Sequence, residues 1–256
     1  MTVFGDYSRY YDLLYRDKDY TGETEYIVSL LRRFRPEAKS IIELGSGTGR
    51  HASLLSGNGY EIHGVELSSG MLARARSLFA EDTNLTFTHG DIRNVRLQTT
   101  FDAALSLFHV ISYQTTNGDL LATFRTAREH LSSGGIFIFD CWYGPAVLTQ
   151  RPSVRIKRVA DEGIEVTRLA EPELLPNGNL IDVRYQVFVR DKASNQGSEL
   201  RETHRMRYLF QPEIELLLEQ AGFRLAHGEE WMTGNPLGTA TWGACFLAEA
   251  CEWRVR

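Results

Sequence analysis

The chain has 256 residues, of which 43% are apolar and 24% charged, so it is long enough for one large α/β domain with an appendage. Its 28 Lys and Arg and 33 Asp and Glu give a formal net charge of -5, which argues against duplex nucleic acid as the main partner. There is no apolar window of about 18 residues, and Cys141, Cys245 and Cys251 have no metal-site spacing. We expect a cytoplasmic protein that acts on a small molecule and uses neither a metal nor a membrane.

Strand and helix patterns alternate along the middle of the chain. Short apolar runs predict five strands, at residues 40–44, 60–67, 85–89, 101–108 and 135–141. Helices are predicted between them, at residues 50–56, 68–79 and 118–131. This order is typical of a parallel sheet that is covered by helices on both faces.

The pattern changes after residue 150. Apolar and polar residues alternate at 154–158 and 181–190, and Asn177-Gly178 indicates a turn, as in antiparallel strands. A helix at 213–220 and strands at 223–232 and 239–249 then resume the first pattern. We expect an α/β domain formed by residues 1–149 and 208–256, with an N-terminal helical lid. An antiparallel β insert, residues 150–207, is expected over the substrate and is a candidate homodimer interface.

A glycine-rich turn follows the first predicted strand, in the segment Glu43-Leu44-Gly45-Ser46-Gly47-Thr48-Gly49. Glycines let the backbone turn tightly and let a ligand approach the main chain. Glu66 ends the second strand, where a carboxylate can accept hydrogen bonds from both ribose hydroxyls, and Asp91 follows the third, near the expected adenine. Because parallel strands end at one crevice, these acids predict an adenosine-containing cofactor.

The glycine spacing favours a cofactor with a cationic amino-acid part. Arg50 stands where the dinucleotide fingerprint GxGxxG requires Gly or Ala. A pyrophosphate would also lie near the like charge of Glu43, whereas an ammonium group would be attracted to it. A nicotinamide-dependent oxidoreductase is the less favoured alternative, and an NADH titration would test it.

These segments, together with Val65-Glu66-Leu67-Ser68, Met71-Leu72 and Gly90-Asp91-Ile92, resemble class I S-adenosylmethionine-dependent methyltransferases. Tyr10-Tyr11-Asp12-Leu13, Lys18-Asp19-Tyr20 and Trp142-Tyr143 resemble the subfamily of N,N-dimethyltransferases that act on nucleotide-linked amino sugars. The resemblance implies a Rossmann-like seven-stranded sheet of order 3-2-1-4-5-7-6, with the last strand antiparallel. It implies S-adenosylmethionine as the cofactor, S-adenosylhomocysteine as its product, and no metal. The cofactor-binding residues it implies are Tyr11, Tyr20, Glu43, Gly45, Gly47, Gly49, Glu66, Leu67, Met71, Asp91, Ile92, Leu107 and Phe108.

The candidate catalytic residues are His109, Tyr113 and Tyr7. An amine substrate must lose a proton before it can attack a methyl group. The amino-sugar enzymes often have a His where Tyr113 stands, so we expect Tyr113 to orient the nucleophile and His109 to take the proton. The alternative for His109 is a hydrogen-bonded loop residue. Tyr7 belongs either to an aromatic lid near the sulfonium or to an amphipathic helix packed on the core.

The candidate substrate-binding residues are Trp142, Tyr143, Arg155, Arg205 and Trp242. Guanidinium groups suit phosphate oxygens, and the insert is net basic, so the substrate is expected to be a small molecule that includes an anionic nucleotide. The alternative is that these arginines lie on a solvated face. The favoured acceptor is an amino-sugar nitrogen. The alternatives are O-methylation of a sugar or other metabolite, N-methylation of a small amine or amino acid, and a non-catalytic module that binds the cofactor.

Overall fold

A computed structural model describes the backbone of residues 8–252 and the side chains of residues 10–252. The helices are α1 (Ser8–Leu14), α2 (Tyr20–Phe34), α3 (Arg50–Gly57), α4 (Ser69–Leu78), α5 (Asn117–Glu129), α6 (Gly144–Gln150) and α7 (Gln211–Gln220). The strands are β1 (Ser40–Leu44), β2 (Glu61–Glu66), β3 (Leu85–His89), β4 (Phe101–Ser106), β5 (Leu131–Trp142), β6 (Arg155–Ala160), β7 (Ile164–Leu175), β8 (Leu180–Asp191), β9 (Gly197–Arg207), β10 (Phe223–Glu230) and β11 (Gly243–Ala250). Tyr7, a candidate catalytic residue, lies outside the described residues.

The larger sheet has the order β3-β2-β1-β4-β5-β11-β10. Strands β1 to β5 pair in parallel, and β11 runs antiparallel to both β5 and β10. The predicted order 3-2-1-4-5-7-6, with its last strand antiparallel, is therefore confirmed. Apolar side chains are buried on both faces of this sheet, as parallel strands between two helical layers require.

Two helices were not identified from the sequence pattern. Helix α2 is capped by Asp19, whose side chain accepts a hydrogen bond from the backbone N–H of Gly22 at 2.9 Å, and its buried face includes Ile27 and Leu31. Helix α6 has Pro145 in its first turn, where the missing N–H costs nothing. Helix α2 has Tyr20, a predicted site residue, at its first position, and α6 follows directly after β5.

The smaller sheet is antiparallel, with the order β6-β7-β8-β9, and is the predicted antiparallel insert. Its side chains alternate between buried and exposed along β9, where His204 and Met206 are buried and Thr203 and Arg205 are exposed. Leu14 of α1 is fully buried against Val166, Val187 and Val189 of this sheet. The N-terminal helix and the insert therefore pack together over one side of the larger sheet.

No helix within residues 8–252 is both long and apolar enough to cross a lipid bilayer.

Candidate active site

One cavity of about 730 Å³ lies at the C-terminal ends of β1, β2 and β4. Its walls also include α1, the start of α2 and the inner face of the smaller sheet. It brings together most of the predicted site residues, namely Tyr11, Tyr20, Glu43, Gly45, Gly47, Glu66, Leu67, Met71, Asp91, Ile92, Leu107, Phe108, His109, Tyr113 and Trp142. Residues predicted to hold a cofactor and residues predicted to act on an acceptor therefore share one space.

The glycine-rich turn has a backbone that favours glycine. Gly45, Gly47 and Gly49 all have positive φ angles, of 86°, 56° and 79°. A Cβ on Gly45 would lie 2.7 Å from Cγ1 of Val110, so this position also lacks room for a side chain. The turn thus keeps main-chain groups close to the cavity.

The Glu66 carboxylate is fixed by two backbone groups. Oε2 accepts a hydrogen bond from the N–H of Gly47 at 2.8 Å, and Oε1 accepts one from the N–H of Ser68 at 2.7 Å. Burial raises the pKa of Glu66, while these backbone hydrogen bonds oppose the increase. These two hydrogen bonds hold the carboxylate between the glycine-rich turn and the start of α4. A ribose in contact with both segments would have to lie beside this carboxylate.

Glu43 is a buried acid that faces the cavity with an unsatisfied oxygen. Only 1% of Glu43 is exposed, and its Oε2 has no hydrogen-bond partner among the described residues. Burial, with the charge of Glu66 as a smaller contribution, raises the pKa of Glu43 to about 8. Such a group is well suited to a ligand that brings a cationic donor, so the residues present fit the amino-acid end of S-adenosylmethionine.

Asp91 keeps its charge at the third acidic position. Its carboxylate accepts hydrogen bonds from the guanidinium of Arg93 at 2.6–3.1 Å, and this contact lowers the pKa of Asp91. Arg93 also donates to Asp119 at 2.9 Å. The acid is thereby oriented at the cavity wall beside Ile92 and remains an acceptor at neutral pH.

The N-terminal segment is attached to the glycine-rich turn and covers the cavity with aromatic rings. The hydroxyl of Thr48 donates to Asp12 at 2.9 Å. Tyr15 packs on Tyr11 and on Phe108, with ring centroids 4.7 and 5.1 Å apart. These contacts place π-faces beside the space between the cofactor end and the acceptor end.

Phe108 and His109 form a strained pair of residues. Both have left-handed backbones, with φ angles of 63° and 62°, which are uncommon for residues that carry a side chain. Asp140, which is 1% exposed, accepts the backbone N–H of His109 at 3.1 Å. The His109 Nδ1 atom lies 2.7 Å from Oδ2 of the same carboxylate. Asp140 therefore holds the main chain of His109 by a hydrogen bond. Its charge lies beside the imidazole, although Nδ1 makes no hydrogen bond among the described residues.

The smaller sheet contributes residues that the sequence analysis missed. Tyr185, His204 and Met206 all line the cavity from β8 and β9. The Tyr113 hydroxyl lies 2.8 Å from Nδ1 of His204, whose Nε2 lies 3.1 Å from Oε2 of Glu202. The two-residue spacing of Glu202, His204 and Met206 could have predicted that they share one face of β9, but not which residues that face contacts.

Five predicted site residues do not line the cavity. Gly49 is the N-cap residue of α3, and Tyr143 packs in the main core. Arg155 is exposed at the start of β6, and Arg205 points to the outer face of the smaller sheet, where it donates to Asp182 at 2.6 and 2.7 Å. Trp242 lies next to Trp142, with centroids 6.3 Å apart, but only Trp142 reaches the cavity wall. Strand alternation places Arg205 opposite to its neighbours His204 and Met206.

No group of three or more His, Cys, Asp or Glu side chains with metal-site geometry occurs in the part of the chain that the structure describes.

The fold and this site define a class I S-adenosylmethionine-dependent methyltransferase, and comparisons with known proteins refine that class. A methyltransferase domain family matches residues 41–135. The chain is 30% identical over 235 residues to the dTDP-3-amino-3,4,6-trideoxy-alpha-D-glucopyranose N,N-dimethyltransferase of Streptomyces venezuelae, covering 91% of this chain and 94% of that protein. The chain belongs to the methyltransferase family that includes this enzyme.

Solved structures agree with this assignment. DesVI of Streptomyces venezuelae is 27% identical, with a TM-score of 0.81 over 97% of this chain and 100% of that one. CalS10, an amino pentose methyltransferase from Micromonospora echinaspora solved with S-adenosylmethionine bound, is 25% identical, with a TM-score of 0.75 over 97% and 98%. The similarity covers both sheets and nearly the whole length of each chain.

Proposed function

We propose that this enzyme transfers a methyl group from S-adenosylmethionine to the amino nitrogen of a nucleotide-linked amino sugar. The observation that carries the proposal is one continuous cavity that Glu43 and Glu66 line together with Tyr113 and His204. The choice of acceptor is supported by the Streptomyces venezuelae relative named above and by a 28% identical relative from Streptomyces fradiae, both N,N-dimethyltransferases of dTDP-linked amino sugars.

The proposed cofactor contacts follow from the charges in the cavity. Glu66 would accept hydrogen bonds from the ribose hydroxyls, Asp91 would lie at the adenine with Ile92, and Glu43 would receive the ammonium group. The rings of Tyr11 and Tyr20 would lie near the sulfonium, where cation–π attraction stabilises positive charge. Bound S-adenosylmethionine supplies a methyl group on positively charged sulfur, so the protein mainly has to position the nucleophile and remove its proton.

The proposed catalytic residues at the acceptor are His109 and Tyr113. His109 is the expected proton acceptor, because Asp140 lies 2.7 Å from its Nδ1 and would stabilise the imidazolium that forms. Tyr113 is the expected orienting residue, because its hydroxyl lies in the same cavity and is fixed by His204. Tyr7 completes the proposed set as a lid residue.

The same proposal assigns a separate role to each part of the chain. Residues 1–149 and 208–256 would bind the cofactor, and the insert at 150–207 would cover the substrate. The insert has more Lys and Arg than Asp and Glu, which favours an anionic substrate. Trp142 offers an aromatic wall for the acceptor, whereas the positions of Arg155, Arg205 and Trp242 support no direct contact with it.

We also propose a homodimer formed through the insert and a cytoplasmic location. Ile156 and Phe188 of the insert sheet are 54% and 39% exposed, so this sheet offers apolar surface for a second copy. Sedimentation of the protein and of Ile156→Lys would test the dimer. The free thiols of Cys141, Cys245 and Cys251 suit a reducing compartment.

A transfer assay with methyl-labelled S-adenosylmethionine tests the proposed function. The acceptors are dTDP-linked 3-amino and 4-amino sugars, the corresponding hydroxyl sugars, and small free amines and amino acids. We expect label only on the amino sugars, and Glu66→Gln should reduce it by weakening cofactor binding. Label on hydroxyl sugars would favour O-methylation, and label on small amines would favour a different acceptor. Cofactor binding with no transfer would favour a non-catalytic binding module.

A further inference from the structure

A hydrogen-bonded chain of three side chains leads from the acceptor end of the cavity into the insert. The Tyr113 hydroxyl lies 2.8 Å from His204 Nδ1, and His204 Nε2 lies 3.1 Å from Glu202 Oε2. Tyr113 belongs to the 3₁₀ turn after β4, whereas His204 and Glu202 are two residues apart on β9. The chain therefore joins the 3₁₀ turn after β4 to the insert at the wall of the cavity.

The order of partners fixes the direction of the hydrogen bonds. A carboxylate only accepts, so Glu202 requires the proton of a neutral His204 to be on Nε2. Nδ1 is then the acceptor, and the Tyr113 hydroxyl must donate to it. The phenol proton is thus committed to His204, and the phenol oxygen can offer only lone pairs to a bound substrate.

His204 is held in this orientation by its surroundings. It is 1% exposed, and its ring packs on Tyr185 with centroids 4.7 Å apart. Its partners include Tyr113 from the 3₁₀ turn, Tyr185 from β8 and Glu202 from its own strand. The guanidinium group of Arg168, on β7, lies over the ring of Tyr185, 5.0 Å from its centroid. A buried imidazole with both nitrogens engaged cannot turn without losing a hydrogen bond.

We propose that His204 is a positioning residue that makes Tyr113 a hydrogen-bond acceptor for the N–H of the substrate amine. His109 first takes the excess proton from the ammonium form of the substrate. The neutral amine then donates one N–H to the Tyr113 oxygen, and its lone pair remains available to attack the methyl group. If His204 were protonated, Nδ1 would become a donor and the Tyr113 hydroxyl would donate its proton to the amine instead. That hydrogen bond would occupy the nitrogen lone pair that must attack the methyl group. This inference rests on the proposed function, because it assigns the acceptor nitrogen to the Tyr113 end of the cavity.

Two substitutions of His204 separate this role from simple packing. His204→Phe keeps a ring of similar shape but removes the acceptor, and it should lower kcat at least about 10-fold with S-adenosylmethionine affinity unchanged. His204→Asn keeps an acceptor close to the place of Nδ1 and should retain kcat within about 3-fold. The matched control is His227→Asn, since His227 also pairs with a strand glutamate, Glu229 at 2.6 Å, but lies outside the cavity.

The Tyr113→Phe variant and the double variant complete the experiment. Because His204 acts through Tyr113, the double variant with His204→Phe should be no slower than Tyr113→Phe alone. Additive losses, or a His204→Phe enzyme with normal kcat, would overturn the proposal.

Nitrogen NMR of the imidazoles gives a readout that needs no methyl transfer. We expect His204 in the neutral form with the proton on Nε2, and we expect its Nδ1 signal to change in Tyr113→Phe. A proton on Nδ1 would overturn the inference even in an active enzyme. If the wild-type enzyme methylated no amine while His204 showed the expected tautomer, the proposed function would have failed rather than the hydrogen-bond assignment.

Discussion

The imidazole of His109 and the carboxylate of Asp140 are 2.7 Å apart at the edge of the cavity. The same carboxylate accepts the backbone N–H of His109, which has a left-handed φ of 62°. The buried carboxylate of Asp140 thus stabilises the strained backbone of His109 and also faces the His109 side chain at the cavity. Strain of this kind is expected where a side chain must be held in one orientation.

His109→Ala should lower kcat by about 100-fold, because general-base assistance is lost. The dissociation constant for S-adenosylmethionine should change little, since the acids proposed to bind the cofactor, Glu43, Glu66 and Asp91, lie on or after other strands. Single-turnover assays and equilibrium binding measure the two effects separately. Asp140→Asn should also reduce kcat, because the imidazolium loses its counter-charge. Unchanged turnover in His109→Ala would remove His109 from the mechanism.

Binding of S-adenosylmethionine should release a proton from Glu43. At pH 7 this acid is mostly protonated, because its pKa is raised to about 8, and the arrival of an ammonium group favours the carboxylate. Calorimetry in buffers of different ionisation enthalpy should show roughly one proton more released by the wild type than by Glu43→Gln. Equal proton release by the two proteins would mean that Glu43 does not titrate on binding.

Without the cofactor, Glu43 should make stability depend on pH. Its pKa of about 8 in the folded protein exceeds the ordinary value of 4.5, so folding takes up a proton. The stability it contributes is fully present below about pH 4.5 and is lost as the pH rises to about 8. Relative to the wild type, Glu43→Gln should gain at most about 1.4 kcal/mol of unfolding free energy per pH unit in this window. Urea unfolding at pH 5.5 and 8.5 measures the difference, and a constant gap would contradict the assignment.

Gly45→Ala should destabilise the protein by about 2–4 kcal/mol, because it combines a positive φ with a steric overlap. The φ of Gly45 is 86°, and the new Cβ would lie 2.7 Å from Val110 Cγ1. Gly57→Ala is the matched control, since Gly57 ends α3 with no atom within 4 Å of its added Cβ. It should be neutral or slightly stabilising. Thermal unfolding compares the two, and similar values would show that the turn tolerates a side chain.

Sequence reasoning succeeded where a local requirement of the backbone is visible in the residues. The alternating strand and helix pattern predicted the parallel sheet, and Gly45 and Gly47, whose φ angles are positive, mark the turn after β1. The order of the strands came from the family resemblance. Glu43, Glu66 and Asp91 could be grouped because parallel strands bring their C-terminal ends together.

Contacts between distant segments could not be predicted in the same way. His204 meets Tyr113 across 91 positions, and that contact depends on how the insert sheet packs on the larger one. For the arginines of the insert, the sequence suggested a contact that the structure does not contain. Arg205 has the right chemistry for phosphate, but the two-residue period of β9 turns it away from the cavity and towards Asp182.

The most direct test of the central claim is NMR and mass analysis of the product formed from a dTDP-linked amino sugar and S-adenosylmethionine with a ¹³C-labelled methyl group. The account predicts that the labelled methyl group is bonded to the sugar nitrogen, and that His109→Ala forms the same product more slowly. A product with the label on oxygen, or an amino sugar recovered unmodified while other small metabolites are methylated, would contradict it.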